Sequence, residues 1–125
     1  MVFSIDSRSR TPIYEQLKQN ILNQIATGML KADEQLPSVR NLARELGVNP
    51  NTVQKAYQEL DAQGIIYQAA GRGSFVSGGD EGKRAVEREQ LEKLERQMQE
   101  ARRVGVTKTS VLSLTERVFK EEMVE

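Results

Sequence analysis

Residues Leu36–Leu60, LPSVRNLARELGVNPNTVQKAYQEL, decide how the rest of the chain is read. Ser38 is placed to cap a helix carrying Leu42, Ala43 and Leu46. Gly47 ends that helix, because a terminal residue in the left-handed region is least strained as glycine. Val48 can plug the turn that follows. Asn49 then caps a second helix with Pro50 at its first position, where the missing N–H has no intrahelical partner to lose. Val53, Ala56, Tyr57 and Leu60 recur at i, i+3, i+4 and i+7 and make one apolar face. Asn51, Thr52, Lys55 and Gln58 fall elsewhere on the surface. The pattern is a helix-turn-helix whose second helix is held from behind and open in front. Its exposed N-terminal end offers amide, hydroxyl and ammonium groups of the kind that read base edges and bind phosphates. Two short helices around a glycine can equally be a packed helical corner, so the flanks must decide.

The C-terminal flank favours nucleic acid. Gly64 ends the second helix, 65–68 (IIYQ) reads as a short strand, 69–73 (AAGRG) as a loop and 74–77 (SFVS) as a returning strand. A hairpin placed there is a wing. Gly71, Arg72 and Gly73 form its tip; the glycines permit close backbone approach, and the arginine can reach a phosphate or a narrow minor groove. On the N-terminal side, Phe3 to Asp6 reads as a short strand or a packed arm. Thr11-Pro12 opens a helix by the cap-plus-proline rule, with Ile13, Tyr14, Leu17, Ile21 and Ile25 on its buried face and Gly28 at its end. Met29 and Leu30 are expected to fold back into the core, and 31–35 reads as a polar loop. The order helix, helix, helix, hairpin predicts a winged helix over 1–77. Its expected core is Leu17, Ile21, Ile25, Leu30, Leu36, Leu42, Leu46, Val53, Tyr57, Leu60, Ile66 and Phe75.

Residues 78–83 (GGDEGK) have the composition of a linker. Beyond it, 84–125 reads as two helices. The first carries a narrow apolar stripe of Val86, Leu91, Leu94, Met98 and Ala101. Val104-Gly105-Val106 interrupts it, and Thr107 or Thr109 can cap a last helix bearing Val111, Leu112, Leu114, Val118, Phe119 and Met123. So broad an apolar surface cannot be buried by two helices alone. They either pack back on the winged helix or pair with a second copy. Pairing is favoured, through Leu91, Leu94, Met98, Val111, Leu114, Val118 and Phe119. It would set two recognition helices about 34 Å, or a multiple of that, apart on one duplex. The fold class expected is therefore mainly α (α+β): a winged helix-turn-helix followed by a two-helix dimerisation tail.

Composition narrows the function. The chain has 125 residues, 38% hydrophobic and 29% charged, with no cysteine and no histidine. Disulfides, the usual zinc sites and imidazole acid–base chemistry are thereby absent. No phosphate-cradling loop is present, since Gly71-Arg72-Gly73 is too short for one. An enzyme is not expected, nor a metal or cofactor. No run approaches the ~20 apolar residues of a membrane span, and the N-terminus lacks the apolar core of a secretory signal, so a cytoplasmic protein is expected. Net charge is zero, and up to Gly78 eight basic residues face seven acidic ones. DNA binding must then depend on where charge is placed. Arg40, Arg44, Lys55 and Arg72 fall on the helix-turn-helix and wing, and Asp61 falls late on the second helix.

Residues 11–77 resemble the DNA-binding domain of the GntR family of bacterial transcriptional regulators. The pieces that carry the resemblance are the PIYEQ opening, the G-x-L loop, LPSVRxLAxxLGVNxxTVxxAYxxLxxxG and the GRGxFV wing. The short helical remainder is similar to the YtrA-type subfamily, whose tail is a dimerisation device and which is often tied to membrane transporter operons. The resemblance implies that Arg40 contacts the operator, that Ser38 is a phosphate-contacting cap, and that Asn51 and Thr52, with Asn49 before them, open the recognition helix. It also implies that Gly71, Arg72 and Gly73 enter the minor groove. Ser38 as a purely structural cap is equally compatible, and Arg44 faces backbone or solvent. Lys55 is expected to meet a phosphate. Pro50 and Gln54 stand where some relatives carry arginines, which leaves the operator sequence open. The expected function is a homodimeric regulator, a repressor, on a palindromic double-stranded DNA operator. No pocket motif specifies a small-molecule effector. The competing reading is a winged helix that serves as a protein-interaction module, for which the near-zero charge is the best argument.

Overall fold

The computed structural model describes residues 3–78 and 80–120. Its elements are α1 (Ile13–Ala26), α2 (Val39–Leu46), α3 (Pro50–Ala62), β1 (Ile66–Ala69), β2 (Gly73–Val76), α4 (Glu81–Arg103) and α5 (Lys108–Lys120). They fall into two compact units, Met1–Glu89 and Gln90–Glu125. Gly79 of the expected linker and Met123 of the expected last helix face lie outside the described residues.

The first unit is a winged helix-turn-helix. Ser38 Oγ accepts from the Asn41 N–H at 3.1 Å, and Gly47 ends α2 with φ +68°. Asn49 Oδ1 accepts from the Asn51 N–H at 2.8 Å, with Pro50 opening α3. Each of these satisfies a backbone group that a helix end would otherwise leave unpaired. Val53, Ala56, Tyr57 and Leu60 are fully buried, together with Leu17 and Ile21 of α1 and Leu42 of α2. Tyr57 also donates its hydroxyl to the Pro37 carbonyl at 2.7 Å, tying α3 to the entry of α2. Burial pushes its phenol above the ordinary tyrosine range. Tyr57→Phe should lower stability by about 1 kcal/mol, because a buried acceptor loses its donor while the ring stays packed. Urea denaturation checks this: the midpoint should fall with the slope unchanged.

β1 and β2 pair antiparallel with Ile66 opposite Val76 and Tyr67 opposite Phe75. This register buries Ile66 and Val76 and leaves Phe75 outside the core, stacked on Tyr67 with ring centroids 5.4 Å apart. The expectation of Phe75 as a core residue is therefore corrected: period-2 alternation commits one of the two neighbours, and the pairing selects Val76. Ile25 and Leu46 line the core only partly. Leu22, Ala43, Ala56, Ile65 and Ala85 join it. Leu30 is buried as expected, whereas Met29 is 63% exposed. Thr11 does not cap α1; Pro12 takes the cap position, and Gln16 Nε2 donates to the Thr11 and Asp6 carbonyls. The N-terminal segment is a packed arm rather than a strand. Ser4 and Asp6 hydrogen-bond the side chains of Asn20 and Gln16 on α1, and Phe3 lies against the core.

Helix α4 starts at Glu81, inside the stretch read as linker. Gly82 is buried, and a Cβ there would sit 3.0 Å from the Ser77 carbonyl oxygen. The glycine serves a close approach there. Ala85 is buried too, and Glu89 accepts from Gln63 Nε2 at 2.8 Å, so the first turns of α4 belong to the first unit. In the second unit Gly105, with φ +99°, breaks the helix, and Thr107 caps α5 by accepting from the Ser110 N–H at 3.2 Å.

Candidate nucleic-acid interface

The polar residues singled out from sequence all lie in the first unit. Ser38 caps α2, Arg40 lies in its first turn and Arg44 in its last. All three are exposed. Ser38 Oγ uses an acceptor lone pair on the cap, which leaves its O–H to donate. No described residue pairs with the Arg40 or Arg44 guanidinium. Asn49 and Asn51 are exposed at the start of α3, and Thr52 is half-buried behind them. The Asn49 side chain is engaged as the cap, accepting from the Asn51 backbone N–H, whereas no described residue hydrogen-bonds the Asn51 side-chain amide. One face of α3 is thus in the core and the other is polar and open. An α-helix presented this way fits a major groove.

Lys55 is exposed, but its ammonium lies 3.9 Å from the centroid of the Tyr14 ring on α1. The contact orients the cation without removing it from solvent. Glu59, which composition leaves unassigned, pairs with Lys18 of α1: Nζ to Oε1 is 2.9 Å, with Lys18 only 5% exposed. That internal pair takes one acidic and one basic charge out of the surface balance. Arg40, Arg44, Lys55 and Arg72 remain at the surface.

The wing tip is closed by the Arg72 N–H donating to the Ala69 carbonyl at 2.9 Å. Gly71, with φ +74°, sits at the turn position that requires a positive φ, and exposed Arg72 follows it. The segment read as a polar loop before Leu36 is in fact the neighbour of β2. Asp33 and Leu36 donate their N–H to the Val76 and Ser74 carbonyls, each at 2.8 Å, and Val76 donates to Glu34 at 2.9 Å. Sequence reasoning missed this third strand-like segment, since its partners lie some forty residues away and 31–35 has no apolar alternation.

Of the apolar residues singled out in the tail, Val86 belongs to the first unit and packs against its core, and the residues expected to pair, from Leu91 onward, lie in the second. Leu91, Leu94, Met98, Leu114, Val118 and Phe119 are all exposed, and α5 has no buried residue. Between α4 and α5 runs a groove of about 830 Å³, floored by Leu94, Met98, Val111 and Leu112. Among the described residues, no helix is long and apolar enough to cross a membrane.

Residues 13–76 match the family described as "Bacterial regulatory proteins, gntR family". The chain belongs to the gntR family. A gntR-family relative, the HTH-type transcriptional repressor YtrA of Bacillus subtilis (strain 168), is 45% identical over 98 residues, which cover 74% of this chain and 75% of that protein. A solved structure described as a transcriptional antiterminator from Listeria monocytogenes EGD-e superposes with a TM-score of 0.71 at 34% identity, covering 94% of this chain and 90% of that one. The DNA-binding domain of AraR, solved in complex with operator ORE1, aligns with a TM-score of 0.52 at 31% identity, covering 62% of this chain and 94% of that one. This gntR-family member is accordingly a DNA-binding transcriptional regulator with a winged helix-turn-helix, and not an enzyme.

Proposed function

We propose that this protein is a cytoplasmic transcriptional repressor that binds a palindromic operator as a homodimer. The observation that carries the reading is the division of α3. Val53, Ala56, Tyr57 and Leu60 lock one face into the core, while Asn51 and Lys55 stay exposed on the helix that Asn49 caps. In this reading α3 enters the major groove, Arg40 and Ser38 hold the flanking backbone and base edge from α2, and Arg72 reaches the minor groove from the wing. Residues 1–77 bind DNA and 84–125 pair with a second copy. The exposed apolar residues of α4 and α5 support pairing, since so large an apolar surface on a small soluble unit marks an interaction face. Similarity to YtrA-type regulators supports a membrane transporter operon as the regulated target.

The test is a fluorescence-anisotropy titration of the full chain against its own upstream promoter duplex and a scrambled duplex, at two salt concentrations. Selective, salt-dependent binding with two chains per duplex is expected. Lys55→Ala should weaken binding to all sequences alike and flatten the salt slope by about one, because one phosphate contact and its released counterion are lost. Equal, weak binding to both duplexes would remove the repressor reading and favour a protein-interaction module.

A further inference from the structure

We propose that Gln35, with the Tyr67–Phe75 ring pair, is a positioning residue for Arg72 and holds the wing tip in its DNA-meeting conformation. This rests on the reading of the wing as a DNA contact and adds residues to it that no sequence motif marks.

A hairpin of two four-residue strands is marginal alone, and a tip arginine on it would sample many orientations. Binding would then have to freeze them, at about 0.5–1.5 kcal/mol for one rotamer-rich side chain and more for the loop under it. The structure holds Arg72 at three points. Its N–H closes the turn onto Ala69, and its carbonyl accepts from Gln35 Nε2 at 2.9 Å. Its guanidinium carbon lies 5.9 Å from the centroid of the Phe75 ring. Phe75 is in turn stacked on Tyr67 with planes 19° apart, and Tyr67 donates its hydroxyl to Asp33 Oδ1 at 2.9 Å. That hydrogen bond to Asp33 holds the Tyr67 phenol above its ordinary pKa.

Both tethers come from one segment. Asp33 and Gln35 are two residues apart on a stretch running along β2, and Gln35 is the bridge partner of Phe75. Bridge partners across a sheet share a face, which places Gln35 beside Phe75, and Asp33 meets that face through its hydrogen bond with Tyr67. Both residues thus reach the same outer face of the hairpin that carries Phe75 and Tyr67, opposite the buried Ile66 and Val76. Asp33 has φ +64°, the one non-glycine residue with positive φ among those described, where the chain turns to run beside β2. Gln35 also lies so close to the tip that a Cβ on Gly73 would come within 2.7 Å of its Nε2. Gln35, Tyr67 and Arg72 are all exposed, so this row adds little to the core. Its effect falls on the conformation of the tip.

The experiment is a double-mutant cycle on the full-length protein, using the upstream promoter duplex as probe, with thermal melts in parallel. Gln35→Met keeps the length of the side chain and removes the donor. It should weaken binding about fivefold and leave the melting midpoint unchanged. Phe75→Leu, which removes the ring under the guanidinium, should weaken binding about threefold. Arg72→Ala should weaken it about tenfold, and neither partner change should weaken it further in that background. Gln35→Met binding like the unaltered protein, or losing the same factor with and without Arg72, overturns the positioning role while the wing reading stands. If Arg72→Ala itself binds like the unaltered protein, the wing reading falls and takes this inference with it.

Discussion

Arg40→Ala is expected to weaken promoter binding about 30-fold, or about 2 kcal/mol, while leaving the thermal midpoint where it is. Arg40 sits on the first turn of α2, exposed and with no described residue to pair its guanidinium. The core contacts of α2 are made by Leu42 and Ala43 on another side of the helix. An unpartnered surface arginine adds little to folding, within about 0.5 kcal/mol. Its five donors are therefore available to DNA, where a bidentate contact to a base edge or phosphate is worth far more than a point charge. Arg40→Lys should recover only part of the affinity, because an ammonium cannot reproduce the planar fork. Titration of both variants against promoter and scrambled duplexes separates the roles. A base contact lowers promoter affinity most and narrows the preference for it. A phosphate contact lowers both affinities alike. Unaltered affinity in Arg40→Ala would remove Arg40 from the interface.

Glu59→Ala should destabilise the first unit by about 2–3 kcal/mol, read as a lowered midpoint in urea. Lys18 is 5% exposed and its ammonium rests 2.9 Å from Glu59 Oε1 across the α1–α3 contact. Removing the carboxylate leaves a cation in the interior with nothing opposite. The expected loss is below the ~3–5 kcal/mol of a fully buried pair, because the Glu59 side chain is 36% exposed and water can reach the gap. Lys18→Met should be milder, since the carboxylate it strands is the partner already open to solvent. Lys18→Met combined with Glu59→Leu should fall within about 1 kcal/mol of the unaltered protein, as apolar replacements remove the desolvation problem with the attraction. The ordering carries the argument. If Lys18→Met costs as much as Glu59→Ala, uneven burial of the two charges is not what matters.

Much of the candidate interface was legible in the sequence because its signals are local. A cap acts on the next two or three residues, so Ser38, Gly47, Asn49 and Pro50 fix the ends of α2 and α3 without reference to anything distant. Apolar recurrence at i, i+3, i+4 and i+7 selects the buried face of α3 by geometry alone, and that leaves Asn51 and Lys55 on the outside. Glycines around a tip arginine mark the wing for the same reason.

Pairing across the fold was decided elsewhere. Phe75 is the larger neighbour and the natural core candidate, yet the hairpin register turns Val76 inward and sets Phe75 against Tyr67. Met29 and Leu30 are adjacent and both apolar, and only Leu30 meets the core. Residues 78–83 have a linker's composition, yet Gly82 is buried against Ser77 and α4 already includes it. Lys18 and Glu59 are 41 residues apart, and Gln35 and Arg72 are 37 apart. No spacing rule joins such residues; only the packing of α1 on α3, and of the segment before α2 along the wing, brings them within a hydrogen bond. By itself the sequence determined where α2 and α3 begin, which face of α3 is buried and what family the chain belongs to, because caps, periodicity and glycine conformations are properties of neighbouring residues. Only the tertiary structure decided which charges neutralise each other and what holds the wing arginine in place, because those contacts depend on chain segments that meet only after folding.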